Sequence, residues 1–372
     1  MGTAAIYMAL IEAFPIKWLY YHYFIRKPVN WSIFIGVLLW TTFIFYQSNE
    51  FPTWAIAPII ISGFALILTY RMHQSRAFPA VFFPKLSEDP EELPLNDNME
   101  MAVIEYEGIT KCYPLDYVIH HHIINDHFKD RIVALTYCAM CRSIIPFDVT
   151  EIGPLFVGSF KNANMIVADK KTKTFFQQAT FKSIIGPLHP YELTMKPFQI
   201  LSWSEVKKTI ANPQVVKVSE QDFKDFELPI PGIWEKIIAS ESTPGLSAKN
   251  RDKTFPSRTH VIGIIDNSIK DKVVYLKKEV LSKKIVENKE NGFILIGAGK
   301  TVNAFNNSLN SQKLEIKLEG EELLDSKSST KWNVRGKYIS GDIKEDLEPI
   351  AISDEYWFSW IKFHDKSRLI RL

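Results

Sequence analysis

The sequence predicts an α+β, strand-rich duplicated domain preceded by an N-terminal transmembrane helical hairpin. Long uncharged apolar runs are confined to the N-terminal part of the chain, and short runs rich in β-branched residues fill the remainder. Several segments of the remainder recur at a nearly constant spacing, which is typical of an internal repeat. With 372 residues, the chain is long enough for more than one domain of roughly 150 residues.

The membrane anchor is predicted from two uncharged runs, residues 31–46 and 54–70, which carry Trp and Tyr at their ends. At about 1.5 Å of rise per residue, each run covers only a thin hydrocarbon layer. Residues 3–24 are also apolar but contain Glu12 and Lys17. This third segment suits an interfacial helix or a weaker span equally well.

The flanking charges predict the orientation of the hairpin. Arg26 and Lys27 precede the first run, Arg71 and Arg76 follow the second, and the link between the runs has no Lys or Arg. The positive-inside rule then places the large domain in the cytoplasm, on a multi-pass anchor of residues 1–86. The alternative, an apolar hairpin buried inside a soluble protein, fits less well because the remainder has an ordinary composition.

The repeat rests on three pairs of segments that keep their order along the chain. The pairs are 141–147 with 299–305, 169–176 with 325–332, and Trp203 with Trp357. We therefore expect a first repeat at 87–218, a linker at 219–258 and a second, degenerate repeat at 259–372. Apolar residues at helical spacing predict one helix at 115–124 and its counterpart at 276–286, and β-branched runs predict strands at 131–137 and 292–296.

Cys138 and Cys141 are the main chemical candidates, since a Cys-x-x-Cys spacing directly after a strand suits a disulfide pair or half of a metal site. With Cys112 the chain has only three Cys, too few for a disulfide framework. Pro146 argues against a thioredoxin-type helix after the first thiol. A metal ion would need more ligands, and His121 and His122, with Asp126, are the nearest. Redox dithiol, metal site and inert buried thiols all remain open.

Other candidates are polar residues in a strand-rich context. Asp126 is either catalytic or a cap between the helix and the next strand. Asn164 and Gln178 could line a ligand pocket. Asp169 reads as a hairpin-turn residue, because Asp325 recurs at the same place in the copy without cysteines.

Three motifs resemble a known family: His121–Asp126 (His-His-Ile-Ile-Asn-Asp), Leu135–Cys141 (Leu-Thr-Tyr-Cys-Ala-Met-Cys) and Phe147-Asp148. Together with Asn164, Asp169, Gln178 and Trp203 they resemble the domain of unknown function 3179 family of prokaryotes. The resemblance covers about residues 101–218, with a fainter second copy at 259–372. Arg142 departs from it, because the family usually has Gly there. The resemblance implies no activity, and many members look exported.

The composition also limits the function. A net charge of +2 gives no reason to expect a nucleic-acid partner, and no nucleotide-binding loop or hydrolase elbow is present. The sequence predicts a membrane-anchored protein with a thiol-redox or metal-binding module at Cys138 and Cys141. The alternative is a non-enzymatic, membrane-tethered interaction or scaffold protein in which the cysteines only pack.

Overall fold

The computed structural model describes residues 14–71, 78–90, 93–226, 252–265 and 272–372, with a few single positions between 236 and 246. Two helices come first. Helix α1 (Ile16–Ser48) has 33 residues, and a short 3-10 turn at Thr53–Ala55 leads into α2 (Ile56–Arg71). Both helices are long and apolar enough to cross a membrane, with only 6% and 17% of their apolar windows buried. Such exposed apolar surface suggests membrane anchoring rather than a core role.

Helix α1 extends beyond the predicted first span on its N-terminal side. Residues 16–24, which the sequence suggested as part of a third segment, form the first turns of α1, and residues before 14 lie outside the described part. The helix continues through Arg26 and Lys27, which are good helix formers, and also contains Pro28. The first helix is therefore about twice as long as the predicted span at 31–46.

The domain side of α1 packs against the strand-rich region. The Tyr20 ring lies 5.0 Å from that of Phe175, and the Tyr23 ring lies 5.6 Å from that of Phe156. These aromatic rings form a small apolar cluster with Ile16. One continuous helix thus connects the domain to the apolar hairpin.

The strand-rich region has two parts, which we call the first half (residues 100–215) and the second half (residues 260–370). Strand β1 (Val81–Phe82) precedes the first half in the sequence, and helix α5 (Glu220–Phe226) follows it. The elements of the first half are β2 (Glu100–Tyr106), β3 (Ile109–Pro114), α3 (Leu115–His121), β4 (Ile123–Phe128), β5 (Arg131–Cys138), β6 (Ser143–Asp148), β7 (Leu155–Lys161), β8 (Asn164–Asp169), β9 (Phe175–Gln177), β10 (Ser183–Ile185), β11 (Thr194–Met195), β12 (Gln199–Ser202), α4 (Trp203–Thr209) and β13 (Gln214–Val215).

The second half begins after the predicted linker, most of which lies outside the described residues. Its elements are β14 (His260–Ile264), β15 (Val273–Leu276), α6 (Lys277–Lys283), β16 (Ile285–Asn288), β17 (Phe293–Ala298), β18 (Thr301–Asn306), β19 (Ser308–Leu309), β20 (Gln312–Lys313), β21 (Ile316–Glu319), β22 (Glu322–Asp325), β23 (Lys331–Asn333), β24 (Tyr338–Ser340), β25 (Ile352–Tyr356), α7 (Trp357–Phe363) and β26 (Arg368–Ile370).

Two four-stranded sheets and one three-stranded meander have the same strand order in both halves. One sheet runs β12-β2-β3-β13 in the first half and β25-β14-β15-β26 in the second. In both, the last strand is parallel to its neighbour and the other pairs are antiparallel. The sheets β10-β9-β8-β7 and β24-β23-β22-β21 also match, as do the meanders β4-β5-β6 and β16-β17-β18.

Local details of the two halves match as well. Helices α3 and α6 each have seven residues and end at a residue with positive φ, His122 (63°) and Lys284 (61°). In the turns after β8 and β22, the carboxylates of Asp169 and Asp325 accept backbone N–H bonds from Thr174 (2.8 Å) and Ser328 (2.9 Å). Such carboxylate-to-backbone bonds fix a turn. The predicted turn at Asp169 is present.

Candidate functional site

The thiol pair lies in the turn between β5 and β6. Cys138 ends β5 and pairs across the hairpin with Ser143, which leaves four residues in the turn. The corresponding hairpin of the second half pairs Ala298 with Thr301 and has only two turn residues. The strand that follows the cysteines also excludes a thioredoxin-type helix at this place. The thiols therefore lie in a turn that is longer in the first half.

The two sulfurs are close together and completely buried. Cys138 Sγ and Cys141 Sγ are 3.3 Å apart, and both residues are 0% exposed and in the free thiol form. A disulfide bond is about 2.05 Å long, so a small adjustment of the turn would join them. Cys141 Sγ also donates a hydrogen bond to the Ala163 carbonyl at 3.2 Å.

The environment shifts the pKa values of the two thiols in opposite directions. Burial raises the pKa of Cys138, but its hydrogen bond with the Cys141 thiol and its bonds with nearby backbone groups outweigh burial, so the pKa lies below the ordinary value. Burial and the neighbouring Cys138 sulfur raise the pKa of Cys141 well above its ordinary value. One thiol of the pair is thus the better thiolate, and the other retains the proton.

Asn164 and Gln178 lie beside the cysteines in a buried polar network. Asn164 Nδ2 is 3.2 Å from Cys141 Sγ and donates to Gln178 Oε1 at 3.1 Å. Gln178 Nε2 donates to Thr136 Oγ1 at 3.1 Å, and its Oε1 accepts from Ser143 at 3.0 Å. Both amide side chains are 0% exposed, so they fix the position of the turn and of Cys141. The sequence made them candidates for lining a ligand pocket, and the structure places both in this buried network.

Residues of the second half contact the turn that holds the two thiols. The Tyr356 N–H donates to the Cys141 carbonyl at 3.0 Å. Glu355 is 1% exposed, and burial raises the pKa of its carboxyl to about 7. Ser353 donates to Glu355 Oε1 at 2.7 Å, while Glu355 Oε2 and Ser359 Oγ are buried without a hydrogen-bond partner. The charge of Glu355 contributes to the high pKa of Cys141.

The comparisons with known proteins give one result. The family model described as "Protein of unknown function (DUF3179)" matches residues 75–367. The chain belongs to this family. The match extends beyond the predicted residues 101–218 into the second half, and it does not mark the second half as a separate copy. A search of curated proteins and a search of solved structures gave no match.

Asp126 lies on the other face of the sheet from the thiols. Within β4 it is paired across from Val133, and side chains alternate between faces along a strand. It accepts hydrogen bonds from Lys111 Nζ and Tyr113 OH, both at 2.8 Å. This family member thus holds Asp126 in a buried ion pair, separate from Cys138.

The two histidines also have other neighbours. His121 contacts the Pro79 carbonyl at 3.0 Å and Asp222 Oδ1 at 3.3 Å. The His122 ring lies 4.1 Å from that of Phe78, and burial lowers its pKa to about 4. Across the described ranges, no three His, Cys, Asp or Glu side chains are grouped so that they could hold a metal ion.

Glu355 and Ser359 are the residues of the site that sequence reasoning missed. One signal was present, because Glu355 stands two residues before Trp357, where the first half has Leu201 two residues before Trp203. A carboxylate at a strand position that is apolar in the matching segment is unusual for a structural role. The signal becomes visible only after the two tryptophans are aligned.

Proposed function

We propose that the protein is a membrane-anchored dithiol module in which a small hydroperoxide oxidises Cys138 and Cys141 to an intramolecular disulfide and a small thiol reductant restores the two thiols. The observation that carries the proposal is the 3.3 Å separation of two sulfurs with oppositely shifted pKa values. The nucleophile is Cys138, since the thiolate is the reactive form. Cys141 is the resolving thiol.

Because both sulfurs are buried, the oxidant must be a small molecule. A protein disulfide cannot reach a group that is 0% exposed, whereas a small hydroperoxide needs only a brief local opening. The Cys138 thiolate attacks the terminal peroxide oxygen, which with one proton yields a sulfenic acid and an alcohol. Cys141 then attacks the Cys138 sulfur, forming the disulfide and releasing water. Glu355 is the carboxyl group near Cys141 that can accept the thiol proton.

The test uses the full chain in nanodiscs treated with hydrogen peroxide, followed by alkylation of the remaining thiols and mass spectrometry. We expect a Cys138–Cys141 disulfide that a dithiol reductant reverses. Cys112 is the internal control, because burial raises its pKa to about 12 and no second thiol is nearby. Cys138→Ser should leave Cys141 in the thiol form under the same treatment.

Two other outcomes would reject the redox proposal. Stoichiometric metal in the purified chain, lost in Cys138→Ser, would favour a metal site with ligands recruited by rearrangement. Thiols that resist both peroxide and alkylation in the folded state would favour the interaction or scaffold alternative, with the cysteines in a structural role.

The anchor is proposed to be a two-span hairpin with both outer ends on one side of the membrane. Asn30 Nδ2 bonds Thr69 Oγ1 at 2.5 Å, and the Trp31 indole bonds Tyr70 OH at 3.1 Å, so the start of the first span lies beside the end of the second. Lys27 lies at the same end, over the Tyr70 ring. The positive charges favour the cytoplasm for the domain. Alkaline-phosphatase activity of a fusion after Leu372 would overturn this orientation.

We further propose that residues 87–218 and 259–372 arose by duplication, with 219–258 as the linker. The common strand order and the matching turns at Asp169 and Asp325 support this proposal. A more specific support is the pair of glycines Gly186 and Gly341, at which an added Cβ would collide with Thr174 and Thr330, respectively. Both threonines hold the same place after their turn aspartate.

A further inference from the structure

A cleft of about 600 Å³ lies between the two halves, above the Cys-x-x-Cys turn. Its volume is within the range of small-molecule sites, roughly 300–1,000 Å³. Part of its wall is apolar, with Leu115, Ile119, Ile200 and Leu281. Most of the remainder is polar or charged, with four basic side chains (Arg142, Lys277, Lys278, Lys300) and three acidic ones (Glu100, Asp116, Asp354). An apolar wall combined with polar groups is typical of a ligand site.

At matching positions of this cleft, the two halves contribute side chains of different polarity. Leu115 and Lys277 are the first residues of α3 and α6, and Ile200 and Asp354 each stand three residues before the tryptophan that begins the next helix. The first half therefore contributes two apolar side chains. The second half contributes an ion pair, with Lys277 Nζ 2.5 Å from Asp354 Oδ2. We call the part of the cleft around this ion pair its polar end.

At the polar end, four side chains form a chain of contacts. Arg142 Nη1 lies 2.8 Å from His260 Nε2, so the guanidinium donates and the imidazole nitrogen accepts. His260 Nδ1 lies 3.9 Å from Asp354 Oδ1, and Asp354 also bonds Lys277. Burial raises the Asp354 pKa, but His260 and Lys277 outweigh it and keep the pKa below its usual value. Asp354 therefore stays ionised and compensates Lys277.

Among the described residues, Arg142 has no carboxylate within ion-pair distance. Its only hydrogen-bond partner there is a ring nitrogen of His260. A guanidinium has five N–H donors, and a planar pair of them fits a carboxylate or phosphate. Arg142 also has a φ of 54°, which costs a residue with a side chain about 1 kcal/mol relative to glycine. An exposed arginine is thus held at the cleft in a conformation that favours glycine.

We propose that this cleft binds a small organic anion whose carboxylate or phosphate lies on Arg142 beside His260. Its apolar body contacts the wall formed by Leu115 and Ile200. The proposal does not depend on the redox chemistry of Cys138, since Arg142 faces the cleft and the sulfurs face the core. Cys138→Ser should therefore retain the binding.

The test uses fluorine NMR of the full chain in phosphatidylcholine nanodiscs, with empty nanodiscs as the blank. The two anionic probes are para-(trifluoromethyl)benzoate and para-(trifluoromethyl)phenyl phosphate, and the cationic control is para-(trifluoromethyl)benzylamine. We expect saturable binding of at least one anion and none of the amine, and the better anion distinguishes a carboxylate ligand from a phosphate ligand. Arg142→Gly should weaken the binding about ten-fold, because a charge-assisted hydrogen bond is lost.

The matched control is Lys129→Gly. Lys129 is an exposed basic residue with a positive φ of 55°, close to the 54° of Arg142, but it lies in the turn between β4 and β5 and does not line the cleft. Its removal should change the binding less than two-fold. The proposal is overturned if neither anion binds with a dissociation constant of about 1 mM or lower. Equal losses in Arg142→Gly and Lys129→Gly would also overturn it, as would binding of the amine.

Discussion

Replacing Asp126 by Asn should destabilise the domain by about 3–5 kcal/mol, because it leaves the Lys111 ammonium buried without a counter-charge. The side chains of Lys111 and Asp126 are only 8% and 5% exposed, so water cannot compensate. Lys111→Val alone should cost less. In that variant, Asp126 keeps its hydrogen bonds from Tyr113 OH (2.8 Å) and from the His127 N–H (2.7 Å).

The second half contains the neutral version of the same arrangement. Asn288 Nδ2 donates to Tyr275 OH at 2.8 Å, with the same spacing of thirteen residues as Tyr113 and Asp126. Val273 stands four residues before α6, as Lys111 stands four residues before α3. The double variant Lys111→Val with Asp126→Asn therefore copies a natural, uncharged pair. Its stability should be within about 1 kcal/mol of the wild type, since replacing both partners of a buried pair is often neutral.

Thermal unfolding of the full chain in zwitterionic nanodiscs measures these effects. For a large domain, each kcal/mol shifts Tm by roughly 2 °C, so Asp126→Asn should lower Tm by at least about 6 °C. The double variant should recover most of this loss. A single-variant shift below about 2 °C, or a double variant less stable than Asp126→Asn, would refute the reasoning.

Two further predictions concern buried positions. Glu355 holds its proton up to about pH 7 in the folded chain, against an ordinary value of 4.5, so the free energy of unfolding should fall as pH rises through this window. This fall amounts to up to about 3 kcal/mol at pH 8, and Glu355→Gln should remove it. The exposed control Glu321→Gln should keep it. Unfolding free energies with the same pH dependence in both variants would contradict the assignment. Gly186→Ala should cost more than about 2 kcal/mol, because its φ is 126° and the new Cβ would overlap Thr174. Gly153→Ala, with positive φ but open space, should cost only about 1 kcal/mol, and equal Tm losses would show that the overlap is relieved by movement.

The local elements of the fold could be predicted because their signals are local. The strand predicted at 131–137 is present as Arg131–Cys138, and the helix predicted from Leu115 is present but ends at His121. The predicted helix was too long because His122 takes a left-handed conformation and the next residue, Ile123, begins a strand. Asp126 was expected at a cap or turn and lies inside β4. Its partners Lys111 and Tyr113 come from another sheet, and no local pattern reveals them.

Only the residues that the first half contributes to the candidate site could be predicted from the sequence. The spacing of Cys138 and Cys141 is visible in the sequence, and Asn164 lies close to them in the folded chain. Glu355 and His260 reach the turn from the second half. Their position depends on how the two halves pack together, and sequence patterns within one half contain no information about it.

Helix α1 limits which molecules the domain can encounter. Tyr20 and Tyr23 pack on the domain, and the same unbroken helix continues into the apolar segment that begins near Trp31. If the apolar helices lie in a membrane, as proposed, this packed helix holds the domain within a narrower range of heights than a flexible tether would. The arginine of the cleft and the turn with the thiols would then move mainly by lateral diffusion and rotation in the plane of the bilayer. Solutes near the lipid surface, and proteins that diffuse in the same plane, would be its natural encounters.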